Sequence, residues 1–320
     1  MQRRNLGTFL FGGLAAMAAP FIAMADSYPS RPIKVIVPYA PGGVVDVQAR
    51  AVTQIMERFL KQPIVVEPRP GASGSIAAEA VAKAAPDGYT LIVSASFLNS
   101  AHLFDDKLRW KSSQFAPIGR YSLSPSYFVV PNQLPVKTVR EFVDYAKKQG
   151  QPLQYANGGT GTPQQISTVL FAEQAGIKLE PVMYKGAPPT VPDVINGLVS
   201  MTVLPSSVAY PQIKGGTLRV LANMSANRSN QLPDVPTIAE AGFAGATVLS
   251  WYGLHAPAGT PPEVIRKLAE AMERACGTDE TKKGLLAAGG EEAFMNTNEF
   301  VRFLEKDKKQ WADAAKVLVK

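Results

Sequence analysis

A chain of 320 residues with 46% hydrophobic and 18% charged residues is long enough for two cores and is neither disordered nor fibrous in composition. Its formal net charge is +7 without any dense Lys/Arg cluster interleaved with aromatics, which excludes nucleic acid as the natural partner and suits small anions. One cysteine, Cys276, excludes an internal disulfide framework.

The N-terminus has the pattern of an export signal. Arg3 and Arg4 form a basic start, Phe9 to Ala23 is apolar, and Ala23-Met24-Ala25 supplies the small residues of a cleavage site. The apolar run is too short to span a bilayer comfortably. Residues 1–25 are therefore expected to be removed after Ala25, leaving a net charge of about +5 once Arg3 and Arg4 are gone from the 33 basic residues. No cysteine stands at the new N-terminus to carry a lipid, so a soluble periplasmic protein without a lipid anchor is expected.

Strands and helices then alternate. Ile33–Tyr39 reads as a buried strand, and Val45, Ala49, Val52, Met56 and Phe59 recur at helical spacing. Ile64–Val66 and Thr90–Ser94 read as strands with a helix over Ile76–Ala84 between them, and Pro86-Asp87-Gly88 is a turn. Tyr127–Val130 is a further strand. Thr138 and Glu141 fit a helix capping box, Leu153–Ala156 is a strand, and a helix starts at Pro163. Val199–Val203 and Leu218–Ala222 are strands. Thr260, Pro261 and Glu263 open another helix with Pro at its first position, and Phe300, Phe303, Leu304, Trp311 and Leu318 line one face of a C-terminal helix.

This alternation predicts an α/β fold of parallel sheets flanked by helices, in two units. Ser124–Asn132 and Asn223–Arg228 are the hinge candidates. Two crossings imply that one unit is inserted in the other, with residues 26–125 and 227–320 forming the first domain and 126–226 the second. Two strand-end edges facing each other would make a cleft.

Two glycine-rich loops carry the candidate chemistry. Tyr39, Ala40, Pro41, Gly42 and Gly43 join a strand to a helix, and Asp46 lies in that helix's first turn, placed to orient loop amides or a water. Gly158, Gly159, Thr160, Gly161 and Thr162 do the same before Pro163, where Thr162, Pro163 and Gln165 fit a capping box and leave the amides near Thr160 and Gly161 open. Such loops hold anions against the positive ends of helices. Ser94 and Ser206 follow apolar runs where strands end and are candidate ligand contacts.

Enzymatic signals are thin. His102 and His255 lack motif partners, Cys276 reads as a packed thiol, and Glu291 and Glu292 read as solvated surface beside a turn. Trp251 and Tyr252 read as core. No nucleophile elbow, zinc motif or Walker loop occurs, so neither catalytic residue, metal nor cofactor is expected.

The strings together resemble the Bug-type substrate-binding receptors of tripartite tricarboxylate transporters. The resemblance rests on Tyr28-Pro29-Ser30-Arg31-Pro32-Ile33, on Val37-Pro38-Tyr39-Ala40-Pro41-Gly42-Gly43 with Asp46, Ala49 and Arg50, and on Glu67-Pro68-Arg69-Pro70-Gly71-Ala72. Pro86-Asp87-Gly88-Tyr89-Thr90-Leu91, Tyr184-Lys185-Gly186, Leu232-Pro233-Asp234-Val235-Pro236-Thr237 and Ala256-Pro257-Ala258-Gly259-Thr260-Pro261 continue it in order. It implies a clamshell of the type II periplasmic-binding kind that takes a small organic carboxylate between its lobes, monomeric, and delivers it to a membrane permease. The alternative is a ligand sensor signalling to a membrane sensor kinase. Three positions depart from the family pattern. Gln165-Ile166 stands where relatives often have His-Leu, Pro68 where an Asn is common, and Leu204 where an Asp is often found. Loss of that acid favours a carboxylate with an apolar body over an amino acid.

Overall fold

The structure is a computed structural model and describes residues 28–159 and 161–318. The expected signal segment, Thr160 and the last two residues lie outside the described residues. In chain order the first elements are β1 (Ile33–Val37), α1 (Val44–Leu60), β2 (Ile64–Pro68), α2 (Ser75–Ala82), β3 (Thr90–Ser94), α3 (Phe97–Ser100) and β4 (Phe115–Ser124). There follow β5 (Ser126–Pro131), α4 (Val139–Lys148), β6 (Leu153–Asn157), α5 (Pro163–Ala175), β7 (Leu179–Met183), α6 (Val191–Ile195), β8 (Met201–Pro205), α7 (Ser206–Lys214) and β9 (Leu218–Asn223). The chain closes with β10 (Ser250–Pro257), α8 (Pro262–Cys276), α9 (Asp279–Ala287), β11 (Glu291–Met295) and α10 (Thr297–Leu318).

Two sheets form two α/β lobes, ordered β11-β4-β10-β3-β1-β2 and β7-β6-β8-β5-β9. Both are mixed, where the alternation predicted parallel sheets. β10 runs antiparallel between β3 and β4, and β5 runs antiparallel between β8 and β9. The reason is connectivity. Each of these strands enters its sheet from a crossing between lobes instead of from a right-handed helical return.

Near-continuous apolar strands follow from helices on both faces. Ile33, Val35 and Val37 pack with α1 and α8, whereas Ile36 packs on the other face with Ala77, Ala78 and Val81 of α2. In the second lobe Phe128 meets Phe142 and Phe171 edge-on at 5.0 and 5.2 Å, while Tyr127 and Val129 face Val194 and Ala209. Trp251 and Cys276 are buried in the first lobe, as their apolar surroundings predict.

The chain passes from one sheet to the other between Ser124 and Ser126. After β9 it stays on the second lobe, because Ile238, Phe243 and Ala246 pack into that lobe's core. It reaches the first sheet again at Ser250. The helix α10 ties the two lobes as well. Phe300 packs edge-on against Trp251 of the first lobe, and Trp311 and Ala314 pack with Ile166 of α5 in the second. Gln310 Nε2 also donates to the carbonyl of Thr247.

Glu291 and Glu292 are not a solvated surface pair. They are half-buried in edge strand β11 against β4, where Glu291 accepts from the Ser229 hydroxyl at 2.6 Å and the Asn230 N–H at 3.0 Å. His255 is buried in β10, and desolvation holds its imidazole down at about 3. It is therefore a neutral packing residue at ordinary pH.

Candidate functional site: a chamber between the lobes

The first loop is a self-bonded turn. Gly42 adopts φ +74°, a conformation that favours glycine, and aims its N–H at Asp46 Oδ2, 2.9 Å away. Gly43 N–H bonds to the carbonyl of Ala40 at 3.2 Å. Asp46 is buried and also pairs with Arg50 at 3.0 Å. Burial alone would raise its pKa, but the Arg50 guanidinium and the Gly42 N–H outweigh that and hold the carboxyl below its usual range. Asp46 thus fixes the loop, as its position in the sequence suggested. The glycine amides are already satisfied. The open donors belong to Val44, Val45 and Asp46, whose first-turn N–H groups no helix can satisfy from within.

The second loop is built in the same way. Asn157 Oδ1 accepts from Gly159 N–H at 3.0 Å, and Thr162 caps α5 by accepting from Gln165 N–H at 3.2 Å. Gln165 was expected to reach back to its own N-cap. Instead its Oε1 takes the Gly161 N–H at 2.7 Å, because φ +69° at Gly161 turns that N–H toward the helix. The Gly161 amide is therefore engaged, not open. Gly158 allows a third loop to close over the second. A Cβ at Gly158 would lie 2.9 Å from Ala187 N and Gly186 C, and Gly186 N–H bonds to the Gly158 carbonyl at 2.9 Å.

Between the lobes lies a chamber of about 350 Å³. The first lobe contributes Tyr39, and burial with Tyr252 as neighbour pushes its hydroxyl well above the ordinary 10.0, so it is a neutral donor. The second lobe contributes Gly158, Thr162 and Gln164, then Gly186, Ala187 and Thr190, and finally Thr202 to Pro205. No charged side chain among the described residues lines it. Its chemistry is one phenol, hydroxyls, one primary amide and an apolar wall of Val203, Leu204 and Pro205. Such a space suits an acid held by neutral dipoles, with a hydrocarbon body against the wall.

Of the residues singled out from sequence, Tyr39, Gly158, Thr162 and Leu204 line this chamber. Gly42 and Ser206 line a second interlobe hollow of about 290 Å³, with Ser207, Tyr210 and Gly289. Ser206 is tied there, its hydroxyl to Gln231 Oε1 at 2.9 Å and its N–H to the Pro125 carbonyl at 2.8 Å. Asp46 and the Ala40 carbonyl hold the first loop through the N–H groups of Gly42 and Gly43, Ala40 and Pro41 are exposed, and Gly159 and Gly161 give their N–H groups to Asn157 and Gln165 in the second loop. Ser94 is fully buried opposite Gly253 with its hydroxyl unpartnered. Sequence reasoning missed Gln164, Ala187, Thr190 and Thr202, which carry no motif of their own. The signals near them were the Tyr184-Lys185-Gly186 string, the capping box that encloses Gln164 and the strand that holds Thr202.

The second hollow holds a close contact between the lobes. Gly289 has φ +71°, and a Cβ there would lie 2.7 Å from Ser207 N and 2.9 Å from Ser207 Cα. Its carbonyl accepts from the Ser124 hydroxyl at 3.0 Å. Gly289→Ala should cost about 2 kcal/mol of stability. It should also push α7 away from α9. Urea unfolding and small-angle scattering check the two effects, and an unchanged midpoint and radius would refute them.

Comparison with known proteins agrees with this architecture. The family model described as tripartite tricarboxylate transporter family receptor matches residues 48–318. The chain is 31% identical over 306 residues to protein BugT of Bordetella pertussis, covering 95% of this chain and 93% of that one. A Rhodopseudomonas palustris protein solved with adipate superposes with a TM-score of 0.79 at 30% identity, covering 91% of this chain and 98% of that one. MatC from the same species, solved with bound malate, gives a TM-score of 0.73 at 30% identity, covering 90% and 100%.

Proposed function

This chain belongs to the tripartite tricarboxylate transporter receptor family, and on that footing we propose that it captures a small organic carboxylate between its lobes, in the periplasm, and delivers it unchanged to a membrane permease. The observation that carries this reading is the chamber itself. It lies where two strand-to-helix loops from opposite lobes converge, and among the described residues its free donors include the Tyr39 hydroxyl and the main-chain amide of Gln164, whereas the Thr162, Thr190 and Thr202 hydroxyls already donate to the carbonyls of Gly159, Ala187 and Ala156. The two solved relatives that hold adipate and malate support the ligand class.

The ligand's carboxylate meets the Tyr39 hydroxyl and the N–H of Gln164, the one first-turn amide of α5 left over once Pro163 has none and Gln165 bonds to Thr162, while Asp46 and Asn157 hold the loops on either side. Leu204 and Pro205 pack against the remainder of the molecule. Binding favours the closed arrangement because both lobes touch the ligand only when closed. In this reading the lobes divide at Pro125 and again just before Ser250, so residues 227–249 move with the second lobe and not with the first.

Thermal unfolding of the processed protein with adipate, malate and benzoate tests the proposal. A ligand present at 100 times its dissociation constant should add about 2.7 kcal/mol, a readily measured shift. The acid should be recovered chemically unchanged. A flat response to all three acids would reject the ligand class, and conversion of the acid would reject a receptor role.

A further inference from the structure

We propose that Gln164 is the positioning residue that links filling of the chamber to movement of the hinge, an inference that rests on reading the chamber as the ligand site. Gln164 occupies the second position of α5, and its main-chain carbonyl accepts from the hydroxyls of Ser167 at 3.1 Å and Thr168 at 2.8 Å. Its side chain lines the chamber. The Nε2 group also donates to Ser126 Oγ at 2.8 Å and reaches Ser250 Oγ at 3.4 Å.

Those two serines have a special place in the chain. Ser126 opens β5 just after the first crossing between lobes, and Ser250 opens β10 just after the second. Both are buried. Among the described residues, Gln164 alone lines the chamber and also bonds to both crossing strands.

The two bonds are unequal. The one to Ser126 is short, and the one to Ser250 is near the limit of a hydrogen bond. One amide hydrogen is therefore weakly held. A carboxylate oxygen entering the chamber is a stronger, charge-assisted acceptor than a serine hydroxyl. It takes that hydrogen and releases Ser250, while the bond to Ser126 keeps the amide in place. The second crossing thus loses its tie to Gln164 when the chamber is filled and keeps the one from Gln310 to the Thr247 carbonyl.

Two substitutions should then act in opposite directions. Ser250→Ala removes the bond the ligand must break and should tighten binding about fivefold. Gln164→Leu removes the donor the ligand takes and should weaken binding about tenfold. Calorimetric titration with adipate, malate and benzoate reads both, and thermal unfolding without ligand confirms that each variant is folded. Scattering of ligand-saturated Gln164→Leu should stay close to its ligand-free profile, whereas the parent's should change. If the parent binds but the two variants shift affinity in the same direction, or neither shifts it, the link through Gln164 is wrong and the ligand site stands. If the parent binds none of the three acids, the reading of the chamber falls, and this inference with it.

Discussion

Ala187→Asp should weaken carboxylate binding by about two orders of magnitude while leaving the fold intact. Ala187 lines the chamber and is half-exposed, with its methyl against the apolar cluster of Tyr127, Val194 and Leu204, so the longer side chain has to turn toward the chamber. It precedes the short turn Pro188–Thr190 with φ −72°, a value ordinary for any L-residue. A bound carboxylate about 5 Å away, at an effective dielectric of about 20, would be repelled by about 3 kcal/mol, or about two orders of magnitude in affinity. Thermal unfolding without ligand should match the parent within about 0.5 kcal/mol. Ala187→Asn, equal in size but neutral, should lose far less. Titration of both variants against the acid that shifts the parent most decides the matter. Equal losses in the two would mean that shape, not charge, excludes the ligand.

The second large effect concerns Asp307 on α10. Its carboxylate is buried and accepts from Asn99 Nδ2 at 2.8 Å and Trp251 Nε1 at 3.1 Å. Among the described residues it has no salt-bridge partner. Desolvation raises its pKa from the ordinary 3.8 to about 6, against the pull of Asn99, Trp251 and the neighbouring Trp311 indole. The folded chain therefore keeps a proton between these values that the unfolded chain releases. The stability linked to this group is present below about pH 4 and is lost as pH rises through 6, a loss of about 3 kcal/mol by pH 7.5. Asp307→Asn removes the charge and can keep both contacts if the Asn99 amide turns over. Its urea stability relative to the parent should rise between pH 4.5 and pH 7.5 by most of that amount. A constant difference across that range would mean that Asp307 is not a buried acid of raised pKa.

The periodicity of single elements was legible, and the company they keep was not. The helices over α1, α4 and α10 show in the sequence because each buries one face against a sheet, which forces three- and four-residue spacing. β1 and β3 show because they are covered on both sides and read as unbroken apolar runs. β4 and β10 escaped notice. β10 carries Gly253 and His255, β4 carries Pro117 and Arg120, and the register between them shifts twice, which breaks any alternation. At the site, the two glycine loops could be found because a strand-to-helix turn has a local signature. Their amides could not be assigned, since the partner of Gly161 depends on a side chain four residues away. The wall from Thr202 to Pro205 and the loop at Ala187 come from segments that only the tertiary fold brings beside Tyr39.

The late arrival of β10 sets an order of assembly. Until residues 250–257 exist, β3 and β4 have no strand between them, and the first sheet is left as separate pieces with bare edges. The second sheet has no such gap, because all five of its strands lie within one continuous stretch from Ser126 to Asn223. Its strands can pair as soon as that stretch is complete, around local contacts, and its core closes when Ile238, Phe243 and Ala246 follow. The half that begins the sequence is therefore the half that finishes folding last, and a chain threaded from its N-terminus remains loose at the leading end until nearly all of it has emerged.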